Sequence, residues 1–173
     1  GDMVDAISLH YYTVPTNDWV GSKGAATGFD RAQYFATMRN TLIMEQKVED
    51  QSRILRMYSR PNHKIGLSVD EWGTWYDVEP GTNPGFLYQQ NTIRDAILAG
   101  VNLNIFNDHC DTIVMANIAQ LINVLQAMIL TEGPKMLLTP TYHVFDLYQG
   151  HMGARQVESY AETRQIKEQD IDI

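Results

Sequence analysis

Apolar and polar positions divide the chain into alternating extended and helical stretches. Residues 3–9, reading MVDAISL, are short and largely apolar with no helical stripe, which predicts a buried strand. A polar loop over 12–28 follows, punctuated by Pro15, Asn17, Gly21, Gly24 and Gly28 and holding Trp19. Asp30 predicts the N-cap of a long helix. Gln33 completes a capping box, and Phe29 and Tyr34 stand at hydrophobic-staple positions. Phe35, Met38, Leu42, Ile54, Leu55 and Tyr58 keep a period near 3.6, and Pro61 closes the segment. The polar stretch 45–52 leaves room for a break.

Over 64–70, Ile65, Leu67 and Val69 alternate with small or polar residues and predict a second strand. A loop rich in glycine and proline covers 73–85. From Leu87 the pattern turns helical through Ile93, Ala96 and Ile97 and continues across Gly100 to Phe106. Residues 114–119 predict a third strand. Thr139 before Pro140 predicts an N-cap with proline at N1, opening a helix through Phe145 and Tyr148. After Gly150 the composition becomes charged and polar, and 157–163 predict one more strand. Strand and helix alternate three times, so the expected fold class is α/β with parallel strands and helical crossovers. In such folds the loops after strand C-termini build the site.

Composition narrows the function. The 173 residues are 44% hydrophobic and 20% charged, which excludes a disordered tail. Thirteen Lys and Arg against 21 Asp and Glu give a net charge of −8, so neither nucleic acid nor an anionic membrane is an expected partner. No apolar run reaches the length of a membrane span. Cys110 is the one cysteine, which excludes an intrachain disulfide and favours a reducing, cytoplasmic setting.

Two strand ends carry candidate chemistry. His10 and Tyr12 are two apart, so an extended backbone puts them on one face, where they can hydrogen-bond sugar hydroxyls or a carboxylate. The plainer alternative is a half-buried pair satisfied by backbone. Asp70 and Glu71 end the second strand, and Trp72, Trp75 and Tyr76 follow. A carboxylate beside aromatic faces suits glycoside chemistry. In a regular strand adjacent residues face opposite ways, so only one of the two acids lines a given pocket, and parity alone does not choose it.

The stretch 69–92, reading VDEWGTWYDVEPGTNPGFLYQQNT, resembles the α-L-arabinofuranosidases of glycoside hydrolase family 51. So do SLHYYT over 8–13, MANIAQ over 115–120 and LLTPTYHVF over 137–145. The resemblance spans nearly all of 3–150. It implies the last three βα units of a (β/α)₈ TIM barrel over 1–150 and the start of a β-sandwich over 151–173. It also implies a retaining hydrolase that releases terminal α-L-arabinofuranosyl residues, forms a homo-oligomer and needs no cofactor or metal. In that pattern Glu71 matches the nucleophile. His10, Tyr12 and Gln120 match substrate-site residues, and Trp75 matches a pocket-side aromatic.

One feature departs from the family. A retaining mechanism needs two carboxyl groups about 5–5.5 Å apart. The family's general acid/base is a glutamate in an Asn-Glu pair, and these 173 residues contain no such pair. That group is expected upstream of Gly1, and the 173 residues alone are expected to be inactive. The alternative is a non-catalytic sugar-binding or assembly module that keeps the pocket residues.

Other groups are weaker candidates. The five histidines, His10, His63, His109, His143 and His151, form no zinc-binding pair. His109, Cys110 and Asp111 are ligand types, but helix-end packing is the expected role of adjacent residues there. Trp19 and Trp72 suit either stacking on sugar or anchoring loops.

Overall fold

A computed structural model describes residues 3–163 together with 167–168 and 171–172. Its centre is a three-stranded parallel sheet, ordered β1 (Ala6–Thr13), β2 (Gly66–Thr74), β3 (Ile113–Ile118). Two long crossover helices join these strands: α1 (Arg31–Tyr58) and α2 (Ile93–Asp108). A hairpin, β4 (Ile129–Glu132) and β5 (Lys135–Leu138), then leads into α3 (Pro140–Tyr148). Among the described residues no helix is long and apolar enough to cross a membrane.

The predicted helix starts arise from local chemistry. The Asp30 side chain accepts from the Gln33 N–H, and the Gln33 side-chain oxygen accepts from the Asp30 N–H. Polar stretch 45–52 does not break α1, because Val48 and Ser52 turn inward while the charged residues face out. The helix ends at Tyr58, before Pro61. Thr139 caps α3, with Pro140 at the first helical position.

Four expectations are corrected. The first strand covers 6–13 rather than 3–9, because the HYYT segment pairs with the end of β2 instead of opening a loop. The second helix begins at Ile93 rather than Leu87. Leu87 sits in a left-handed conformation, and the start is a capping box between Thr92 and Asp95. The β4–β5 hairpin was not expected. Its two-residue loop, Gly133 and Pro134, carries glycine at a positive φ of 55°. Residues 157–163 form no strand and run as an exposed coil.

The core lies between the sheet and its helices. Leu67, Val69 and Trp72 of β2 pack with Met44, Val48 and Leu55 of α1 and Ala99, Ile105 and Phe106 of α2. Trp72 is fully buried, edge-on to Phe106 at 5.2 Å and stacked on Phe145 at 6.0 Å. Of its two expected roles it therefore takes the anchoring one. At Gly66 an added Cβ would lie 2.6 Å from the Val114 side chain, so glycine lets β3 approach.

Candidate active site

The site forms where β1 and β2 end side by side. His10 pairs with Glu71 and Tyr12 with Gly73 in the parallel register. The Tyr12 hydroxyl donates to Glu71 Oε2 at 2.8 Å, and His10 Nδ1 lies 3.6 Å from the same oxygen. Burial and then the hydrogen bond and charge of Glu71 push the Tyr12 phenol well above its ordinary range. It is therefore a donor at any physiological pH.

Asp70 joins the same cluster, which corrects the parity argument. His10 Nε2 lies 3.0 Å from Asp70 Oδ1, and the Ser8 hydroxyl donates to that oxygen at 2.7 Å. Between Ser8 and His10, β1 advances two residues while β2 advances three, from Ser68 to Glu71. The pairing with β3 shifts in the same way, from Val69 and Ala116 to Trp72 and Ile118. One extra residue is thus accommodated in β2. Val69 and Trp72, three apart, both face the core, and Asp70 and Glu71 both face the site. Such bulges re-aim side chains beside functional sites. The Ser8 hydroxyl, with a smaller contribution from His10, holds the Asp70 carboxyl below the usual carboxylate range. A general acid needs the opposite.

Aromatic rings wall one side. Trp75 stands edge-on to Tyr12 at 5.1 Å, and Trp19 stands edge-on to Trp75 at 6.1 Å. Lys23 Nζ sits 5.8 Å above the Trp75 ring. The loop after β1 reaches these positions because it is pinned. Asn40 donates from α1 to the carbonyls of Val14 and Pro15, and buried Arg94 donates to those of Ala25 and Ala26. The Arg94 guanidinium lies between the rings of Phe29 and Tyr76. The backbone N–H of Lys23 and the Ser22 hydroxyl both donate to Asp77 in the neighbouring loop.

Gln120 follows the end of β3 across a cis peptide bond from Ala119, with its side chain exposed. No hydrogen bond joins it to Glu71, His10 or Tyr12. His109, Cys110 and Asp111 point to three different partners: Glu45, Gln156 and Arg56. They form helix-end packing, as expected.

Sequence reasoning missed Ser8 and Gln126. Ser8 carried a signal, since 8, 10 and 12 share strand parity. Gln126 carried none, being a loop residue whose partners are distant in sequence. It is fully buried, and its Oε1 accepts from the Thr74 N–H at 2.9 Å. Its Nε2 donates to the Asp95 carbonyl and the Thr141 hydroxyl. Gly73, at φ 144°, brings the end of β2 against it; an added Cβ would lie 3.2 Å from Oε1. Gln126→Leu keeps the volume but leaves the Thr74 N–H without a partner. The expected cost is about 1–3 kcal/mol, read as a lower midpoint in denaturant unfolding.

The comparisons with known proteins agree with one another. The family model of the α-L-arabinofuranosidase C-terminal domain matches residues 70–172. An intracellular exo-α-L-arabinofuranosidase of Bacteroides ovatus is 50% identical over 154 residues, covering 89% of this chain and 29% of that protein. An intracellular exo-α-(1→5)-L-arabinofuranosidase of Halalkalibacterium halodurans is 31% identical over 151 residues, 82% of this chain and 28% of that protein. The crystal structure of a family 51 arabinofuranosidase from Xanthomonas axonopodis pv. citri superposes with a TM-score of 0.91 at 48% identity. It covers 98% of this chain and 34% of that one. The chain thus spans about a third or less of the length of these relatives.

Proposed function

The chain belongs to the α-L-arabinofuranosidases of glycoside hydrolase family 51, as a C-terminal part of such a protein, and from that premise we propose that it carries the nucleophile of a retaining arabinofuranosidase. The whole protein then releases terminal α-L-arabinofuranosyl units from arabinose-containing polysaccharides or oligosaccharides. The observation that carries this reading is the convergence of Tyr12 and His10 on one oxygen of Glu71 at two adjacent strand ends.

In this reading the free Glu71 oxygen attacks the anomeric carbon as the bond to the leaving oxygen breaks. A second carboxyl group, supplied from outside these 173 residues, protonates that oxygen. It then takes a proton from the water that releases the sugar. Tyr12 orients the carboxylate, Trp75 walls the sugar, and Gln120 contacts substrate from the end of β3. No metal or organic cofactor takes part.

The architecture supports a larger enclosure. Three parallel strands, each followed by a helix, suit the last three units of a (β/α)₈ barrel over 1–150. Residues 151–173, with the short antiparallel pair Lys167–Glu168 and Ile171–Asp172, suit the start of a β-sandwich. The names of the relatives favour an intracellular setting; among the described residues the outer edges of β1 and β3 are unpaired, which suits pairing within a barrel, and the homo-oligomer rests on the family resemblance alone.

Trapping tests the reading. The full-length protein is incubated with a slow-turnover activated arabinofuranoside, digested and mapped by mass spectrometry. A pentosyl adduct on Glu71 is the expected result. Hydrolysis with the label elsewhere overturns the assignment, and sugar binding without hydrolysis or label identifies a binding module.

A further inference from the structure

Asp70 has no part in the reaction above, yet it is tied into the same cluster. Its Oδ1 receives the Ser8 hydroxyl at 2.7 Å and faces His10 Nε2 at 3.0 Å. The other ring nitrogen, Nδ1, faces Glu71 Oε2 at 3.6 Å. His10 therefore bridges two carboxylates that a regular strand would have sent to opposite faces.

We propose that Asp70, anchored by Ser8, is a positioning residue that fixes the ring orientation and tautomer of His10. This rests on the reading of Glu71 as nucleophile. An ionised Asp70 can only accept, so Nε2 must carry the proton that it binds. That bond turns Nδ1 toward Glu71 Oε2, 3.6 Å away, beside the nucleophile. The hydrogen bond on one nitrogen of a histidine decides what the other nitrogen offers. The lowered proton affinity of Asp70 supports its acceptor role over the working pH range. The groups that face His10 are Asp70 and Glu71 from β2, with Tyr12 and Ser8 reaching those same two carboxylates from β1.

Asp70→Asn is informative because the amide can donate to Nε2 and so favour the opposite tautomer. In the full-length protein this variant is expected to lower kcat roughly 10- to 100-fold, the scale on which losing the outer partner of a functional histidine is felt. KM is expected to stay within about twofold, since the sugar's remaining contacts are untouched. Ser8→Ala should shift kcat in the same direction by less. The deciding measurement is a cycle: in a His10→Gln background, Asp70→Asn should cost nothing further. Ring-nitrogen NMR of histidine-labelled protein, assigned by the signal missing in His10→Gln, should show the tautomer inverted in Asp70→Asn. Losses that simply add in the double variant, or a tautomer unchanged by Asp70→Asn, overturn the proposal. If Asp70→Asn does not fold, Ser8→Ala carries the same cycle: its loss of kcat should vanish in the His10→Gln background, and a loss that adds there overturns the proposal. Failure of the nucleophile reading shows separately, as turnover retained by Glu71→Gln, while the NMR readout still reports on His10.

Discussion

Full-length protein carrying Glu71→Gln is expected to lose kcat by about 10⁴-fold or more, the scale seen when a covalent mechanism loses a member of its reacting group. The substitution exchanges one oxygen for an amide nitrogen at constant shape. The amide carbonyl can still accept the Tyr12 hydroxyl that now reaches Oε2, so the local packing persists. Only nucleophilicity is removed. Glu71 is partly exposed and outside the apolar cluster that holds the fold, so its unfolding midpoint should match that of the parent protein. The measurement is steady-state release of an aryl alcohol from an aryl arabinofuranoside, alongside denaturant unfolding. Near-normal turnover with an intact fold would return the role to Asp70 or to a residue elsewhere in the protein.

The choice between those two acids marks where the sequence stops being legible. Helix starts are local, so the capping boxes at Asp30 and the Thr139–Pro140 pair can be seen in the chain and are found in the structure. The box at Thr92 and Asp95 was equally visible. The apolar Leu87 upstream extends the helical pattern past that box, but it serves a turn. The pairing of His10 with Tyr12 followed from a period of two. What no period reveals is the extra residue in β2, because register is set between strands rather than along one. That residue decides that Asp70 and Glu71 share a face. Gln126 was hidden for the same reason: its partners Thr74, Asp95 and Thr141 come from three separate elements.

Trp72 is the residue that turns this register into a fixed geometry, and Trp72→Ala carries the largest expected loss of stability. Its side chain is fully buried between Phe106 and Phe145, immediately after the bulge. Truncation removes the ring contacts and leaves a cavity, at a cost of about 3–5 kcal/mol. For a domain held 5–15 kcal/mol above unfolding this is a large fraction. Site geometry should suffer with it, since the buried side chain at position 72, together with Leu67 and Val69, keeps β2 from slipping by one residue and carrying Glu71 toward the helices. Trp72→Phe separates the two contributions. The indole N–H has no hydrogen-bond partner among the described residues, so phenylalanine removes an unsatisfied donor while keeping an aromatic ring against Phe106. Its expected cost is under about 1.5 kcal/mol, as for other swaps that keep most of the volume. Denaturant unfolding of the full-length protein should therefore rank parent, Trp72→Phe and Trp72→Ala in that order, with the wide gap between the last two. Equal losses in both variants would mean that the indole, and not the buried ring, holds the strand in register.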